Sequence, residues 1–222
     1  MEFREYLPFW KELTGQQQAK LENSATLERV KKGEVIHNGT ADCVGLLVLV
    51  SGQLRGFSLS EDGRQVTLYR LFSRDVCLMS AYCMLNSLQF DISVQAEQDT
   101  VFWRIPAPVY KELMRQSAPV ANFTTELIAS RFSDVMWLLD QILYKHLDSR
   151  LAAFLVEESR LTGSGTLALT HDAIAQHLGS AREVITRMLR YFSSEGLVKL
   201  GRGSLQVLDE ERLVSIAGDS LR

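Results

Sequence analysis

The chain of 222 residues is 46% hydrophobic and 23% charged, and its 24 Lys and Arg against 27 Asp and Glu leave a formal net charge of -3. This supports full apolar cores in two globular domains of ordinary size, and it excludes a globally basic protein, so any contact with nucleic acid has to come from a local patch. The most apolar run, 44–50, is too short to cross a bilayer and no charged start precedes an apolar signal core; three cysteines without paired spacing argue against a disulfide framework or structural zinc. A cytoplasmic protein with no membrane partner is expected.

Residues 4–24 read as short helical segments, with Leu13, Leu21 and the cluster Tyr6, Phe9 and Trp10 supplying apolar contacts. From Leu27 the period changes. Segments 34–37, 44–50, 54–59, 66–72, 92–96 and 101–105 are strand-like and bounded by turn residues, with Ser60-Glu61-Asp62-Gly63 as a hairpin turn. Gly33, Gly39 and Gly52 mark corners where a side chain is unwelcome. Strands this short at this spacing predict an antiparallel sandwich or barrel. A jelly-roll metalloenzyme would need several ligands converging inside the barrel, yet His37 is the only histidine in this half; His146, His171 and His177 lie in the helical half. No catalytic residue and no metal site are therefore expected.

Pro106 and Pro108 punctuate the end of the strands, and 109–114 reads as a short helix. A long helix follows, from about residue 119 to 145, with Phe123, Leu127, Ala129 or Ser130, Val135, Leu138, Leu139, Ile142 and Leu143 as its apolar stripe. One side of that stripe can cover the strands; the surplus needs another partner. His146-Leu147-Asp148-Ser149 breaks the pattern as a hinge, with Asp148 or Ser149 capping a helix over 150–161. Thr162-Gly163-Ser164-Gly165 is a loop.

The stretch 170–202 reads as helix, sharp turn, second helix and two short strands. Thr170 can cap the first helix, whose buried side is Ile174, Ala175 and Leu178, and Gly179 ends it. Ser180 with Glu183 matches a capping box for the second helix. At 100° per residue, Val184, Ile185, Met188, Leu189 and Phe192 gather on one side while Arg182, Glu183, Thr186, Arg187 and Arg190 share the other. An Arg offers a two-pronged donor matching guanine O6 and N7, and a carboxylate accepts from cytosine N4. From 182 to 202 there are five basic residues against two acidic, inside an acidic chain, so double-stranded DNA is the expected partner. Residues 198–200 and 205–208 form a wing whose tip, Arg202, can reach phosphate, and Asp209 caps a closing helix through Ala217.

The run Leu178-Gly179-Ser180-Ala181-Arg182-Glu183-Val184-Ile185-Thr186-Arg187 resembles the recognition motif of the Crp-Fnr superfamily of bacterial transcription regulators, and the glycines with Ile36-His37-Asn38-Gly39 resemble its sensor. The resemblance implies an α+β fold: an antiparallel β-roll (jelly-roll) effector domain over 1–117, a dimerisation helix over 118–146 and a winged helix-turn-helix domain over 147–222. It implies a homodimer joined through Phe123, Leu127, Val135, Leu138, Leu139 and Ile142. Arg182, Glu183 and Arg187 would read base edges, with Thr170, Ser180, Thr186, Arg190 and Arg202 as further DNA contacts. The chain departs from the motif at Ala181 and Val184, where the cyclic-AMP-responsive members have Ser and Thr. The loop 162–165 corresponds to a region that touches RNA polymerase, which makes the polymerase a further candidate partner.

The sensor half departs more. Leu78 and Met79 stand where cyclic-nucleotide-binding members have a Gly-Glu pair, and Phe90 and Asp91 where they have Arg-Ser, so no cation remains there for a nucleotide phosphate. The iron-sulfur cysteines of the Fnr branch are missing too, since no Cys precedes Cys43. The segment 77–83 brings Cys77, Met79 and Cys83 instead, a set suited to redox sensing, soft metals or haem, unless the two cysteines simply pack as small hydrophobes. Cys77, Met79, Cys83 and Phe90 are the effector-site candidates, and the small-molecule or redox effector and any cofactor stay unspecified. A competing reading is a ligand or redox module whose helix-turn-helix makes only protein contacts.

Overall fold

The structure, a computed structural model, describes residues 2–39, 43–78, 80 and 91–221. They fall into two compact units: the first runs to Leu59 and resumes over Leu68–Val135, and the second joins Ser60–Thr67 to the chain from Met136 onward.

Among the described residues the first half of the chain has eight strands, β1 (Thr26–Val30), β2 (Val35–Asn38), β3 (Leu46–Ser51), β4 (Leu54–Leu59), β5 (Gln65–Leu71), β6 (Val76–Cys77), β7 (Ser93–Ala96) and β8 (Thr100–Ile105). They form two four-stranded sheets, ordered β1-β8-β3-β6 and β2-β7-β4-β5. β8 runs antiparallel to β1 and β3, and β7 antiparallel to β2 and β4. β3 reads as an unbroken apolar run because both of its faces are covered. Leu47 and Leu49 belong to an inner core with Leu54, Tyr69, Leu71, Val94, Ala96 and Phe102, whereas Leu46 and Val48 belong to an outer one. That outer core is supplied by the N-terminal turns (Phe3, Tyr6, Leu7, Phe9) and by Tyr110 and Leu113 of α2 (Ala107–Gln116). α1 (Gly15–Ser24) begins at a capping box between Thr14 and Gln17 and adds Leu21. Gly52 is obligatory at its corner: its φ is 91°, and a Cβ there would lie 2.4 Å from Thr100 Oγ1.

The long helix α3 (Ala118–Tyr144) sorts its apolar residues into two sets. Phe123 and Leu127 pack on the outer core, Phe123 with its ring 5.2 Å from Phe9, because the N-terminal turns present an apolar surface there. Both stay half-buried there, so part of each side chain is left for a second subunit. Ile128, Phe132, Met136, Leu139, Ile142, Leu143 and Tyr144 are exposed, with Val135 and Leu138 half-buried. Ile128, Phe132, Val135, Leu139 and Ile142 follow one another at spacings of four, three, four and three, the heptad pattern of a coiled-coil seam.

In the second unit, α4 (Leu147–Thr162) packs with α5 (His171–Leu178), α6 (Arg182–Ser194) and α7 (Glu210–Ala217) around Leu151, Leu155, Ile174, Ile185, Leu189, Phe192 and Leu213. A three-stranded sheet, ordered β10-β11-β9, joins β10 (Val198–Gly201) to β11 (Ser204–Val207) and β9 (Thr166–Leu167). Asp209 caps α7 as expected, accepting from Arg212 N at 2.9 Å. α4 starts earlier than the sequence suggests. His146 is its N-cap, without a side-chain capping bond, and Asp148 sits in the first turn, where its Oδ1 accepts from Ser149 N at 2.8 Å and the helix dipole favours the carboxylate.

Candidate nucleic-acid interface

The reading face is set by the turn between α5 and α6. Thr170 caps α5, its Oγ1 accepting from Ala173 N at 3.1 Å, and Gly179 closes the helix in the left-handed region at φ 66°. The amide of Ser180 then donates to Ala175 O at 3.0 Å, completing the closure. This corrects the expected capping box. Because Ser180 is committed to ending α5, α6 starts one residue later with Ala181 as N-cap, and no side chain caps it. The apolar side of α6 is buried through Ile185, Leu189 and Phe192 in the same core as Ile174, Ala175 and Leu178 of α5.

The opposite side of α6 carries Arg182, Glu183, Arg187 and Arg190, all exposed, with Thr186 half-buried between them. Among the described residues none of these three arginines enters an ion pair, so their charge stays available to an anion at short range. Thr186 Oγ1 lies 3.0 Å from His171 Nδ1 on α5. Partial burial, then the charges of Arg182 and Arg190, hold the His171 imidazole below its ordinary range. Arg202 and Gly203 form the tip of the β10–β11 wing; Arg202 is exposed and Gly203 supplies the positive φ of 72° that the two-residue turn requires. Lys199 is exposed on β10. Thr170, Ser180, Arg182, Glu183, Thr186, Arg187 and Arg190 thus all lie on α5, α6 or the turn between them, and Arg202 at the tip of the wing. His171 was missed by the sequence reasoning. Its signal was its place directly after the capping Thr170, beside the basic helix.

Of the effector candidates, Met79, Cys83 and Phe90 lie outside the described residues. Cys77 is buried in the inner core as a free thiol, and that burial pushes the thiol up, away from the reactive thiolate form. Cys43 is disulfide-bonded, so the odd cysteine count did not exclude a bridge. Beside Cys77 sits Tyr69, whose hydroxyl is raised well above its ordinary range by burial and then by the neighbouring thiol. The Arg131 guanidinium of α3 lies 5.1 Å from the Tyr69 ring centroid and pairs with Asp134 at 2.8 Å. A second polar group lines β4 and β7: Arg55 donates to Gln95 Oε1 at 3.0 Å, while Gln53 donates to Glu97 Oε2 at 2.8 Å and Arg70 pairs with Glu97 at 3.1 Å. Neither cluster was visible in the sequence. Among the described residues no group of three or more His, Cys, Asp and Glu is placed to hold a metal, and no helix is long and apolar enough to cross a membrane.

A β-roll followed by a long helix and a winged helix-turn-helix with an uncompensated basic reading face defines a DNA-binding transcription regulator with a sensor-type domain. Residues 149–216 match the Crp-like helix-turn-helix domain family, and residues 27–117 match the cyclic nucleotide-binding domain family. The structure is similar to the crystal structure of a transcriptional regulator of the Crp/Fnr family from Eubacterium rectale, with 54% sequence identity and a TM-score of 0.94 over 96% of this chain and 99% of that one. In sequence it is 27% identical to the transcriptional activator protein Anr of Pseudomonas aeruginosa, over 86% of this chain and 80% of that protein. It is also 27% identical to the cyclic AMP receptor protein of Thermus thermophilus, over 78% of this chain and 79% of that protein. The chain belongs to the Crp/Fnr family of transcriptional regulators.

Proposed function

We propose that this regulator works as a homodimer on a palindromic promoter site, with α6 of each subunit in the major groove and the Arg202 wing on the flanking phosphates. The observation that carries this reading is the α6 face, where Arg182, Glu183, Arg187 and Arg190 are exposed and none of the arginines is ion-paired among the described residues. The heptad stripe from Ile128 to Ile142 supports the two-fold partner, since an apolar seam of this length on one helix is the surface a second copy of the same helix would cover. Two reading helices on one face of the duplex place the half-sites about one helical turn apart.

The signal enters through the roll and is not a cyclic nucleotide, because Leu78, Met79, Phe90 and Asp91 offer its phosphate no cation. Tyr69 and Arg131 support entry beneath α3, where a bound ligand would act directly on the dimer helix. The protein acts as a cytoplasmic regulator and not as an enzyme, and the exposed loop over 162–165 is its candidate contact with RNA polymerase. Selection of duplexes from a random-sequence pool by the purified protein, followed by a gel shift, tests the reading. An enriched palindrome supports it; retention of all sequences alike, or of none, would favour a module that acts through protein contacts.

A further inference from the structure

α6 presents Arg182, Thr186 and Arg190 along one line, because residues four apart stack on the same side of a helix. His171, the first residue of α5, faces the middle of that line through the contact between Nδ1 and Thr186 Oγ1, 3.0 Å long. With Nδ1 engaged, the ring is oriented, and Nε2 has no hydrogen-bond partner among the described residues. The charged groups bearing on the ring from α6 are Arg182 and Arg190. On its own helix the adjacent Asp172 accepts from Gln176, 3.3 Å away. The imidazole therefore sits between two cations at the edge of the reading face, a position that favours its neutral form while no anion is near.

A DNA phosphate meeting this edge reverses that balance. It offers an acceptor to Nε2 and a counter-charge to Arg190, and both effects favour the protonated ring. We propose that His171 and Arg190, oriented by Thr186, form a clamp for one phosphate of the DNA backbone, and that closing the clamp loads a proton onto His171. The proposal rests on the DNA-binding reading above and adds a residue and a proton to it. The sign follows from linkage. The free protein holds the ring with fewer protons than the complex does, so binding takes up protons and operator affinity rises as pH falls between about 8 and 6. At its steepest each His171 contributes up to about tenfold in affinity per pH unit.

The test uses the full chain and one duplex recovered by selection from a random-sequence pool. Its affinity is measured across that pH range at fixed ionic strength for the wild type and for His171→Gln, whose amide can still bond Thr186 but cannot titrate. The proton count comes from calorimetry in two buffers of different ionisation heat. The wild type should take up more protons than the variant, by about one per subunit at the steepest point, and the affinity gap between the two should widen as pH falls from about 8 to 6. A shared pH slope and proton count would overturn the clamp while leaving DNA binding intact, and would assign any titration to other groups. If neither protein binds the duplex at any pH, the clamp falls together with the DNA-binding reading.

Discussion

Replacing Leu139 and Ile142 of α3 by Lys should separate the two copies of the protein without unfolding either. Leu139 is 44% exposed and Ile142 45% in the single chain, so about half of each side chain remains to be buried by a partner. Full burial of such a side chain is worth about 1.5–3 kcal/mol, so each contributes about 1 kcal/mol to dimerisation. Two positions in two subunits lose about 4 kcal/mol, which weakens the dimer roughly thousandfold at about 1.4 kcal/mol per decade. The like charges brought together across the two-fold axis add to the loss. Sedimentation velocity over a concentration series reads the dissociation constant, and circular dichroism checks that each subunit stays folded. Phe123→Ala is the internal control: it opens a cavity against Phe9 in the outer core, so it should lower the melting temperature with little effect on the dimer constant. An unchanged dimer in the double Lys variant, or a dimer lost on Phe123→Ala at full stability, would refute the assignment of the two helix faces.

Arg182→Ala should weaken operator binding by about 1–3 kcal/mol and relax the preference at one position per half-site, whereas Arg202→Ala should weaken all sequences alike and flatten the salt dependence by about one charge per subunit. Competition binding at several salt concentrations separates the two. Gly52→Ala should lower unfolding stability by about 2–4 kcal/mol, since the new Cβ meets Thr100 Oγ1 at 2.4 Å in a strained backbone; thermal unfolding measures it. Cys77, free and buried, should resist thiol-specific reagents in the native protein and label only on unfolding, and rapid native labelling would put it at a ligand-accessible site instead.

The reading domain was legible in the sequence because its signals act over a few residues. Thr170, Gly179 and Asp209 each govern an amide or a dihedral within three positions of themselves, and all three do in the structure what the sequence suggests. Ser180 misled because two local uses compete for it; its amide goes to the preceding helix, and the start of α6 shifts by one. The stripe of α3 was legible as a pattern, but its division was not. Phe123 turns toward Phe9, more than a hundred residues away in sequence, and no periodicity encodes that pairing. Phe132 and Met136, overlooked beside the longer Leu and Ile series, remain exposed with Leu139, Ile142 and Leu143. The Tyr69–Arg131 and Arg55–Gln95 groupings and the His171–Thr186 contact were hidden for the same reason, since each joins separate elements whose crossing only the fold supplies.

Sequence-specific recognition of DNA by α6 is the central claim, and binding-site selection repeated with the wild type and Arg187→Ala tests it most directly. The wild type should enrich a palindrome with half-sites about one helical turn apart, and the variant should lose the preference at one symmetric pair of positions while keeping its fold and its dimer. Enrichment of the same site by both proteins, with equal affinity, would contradict the account.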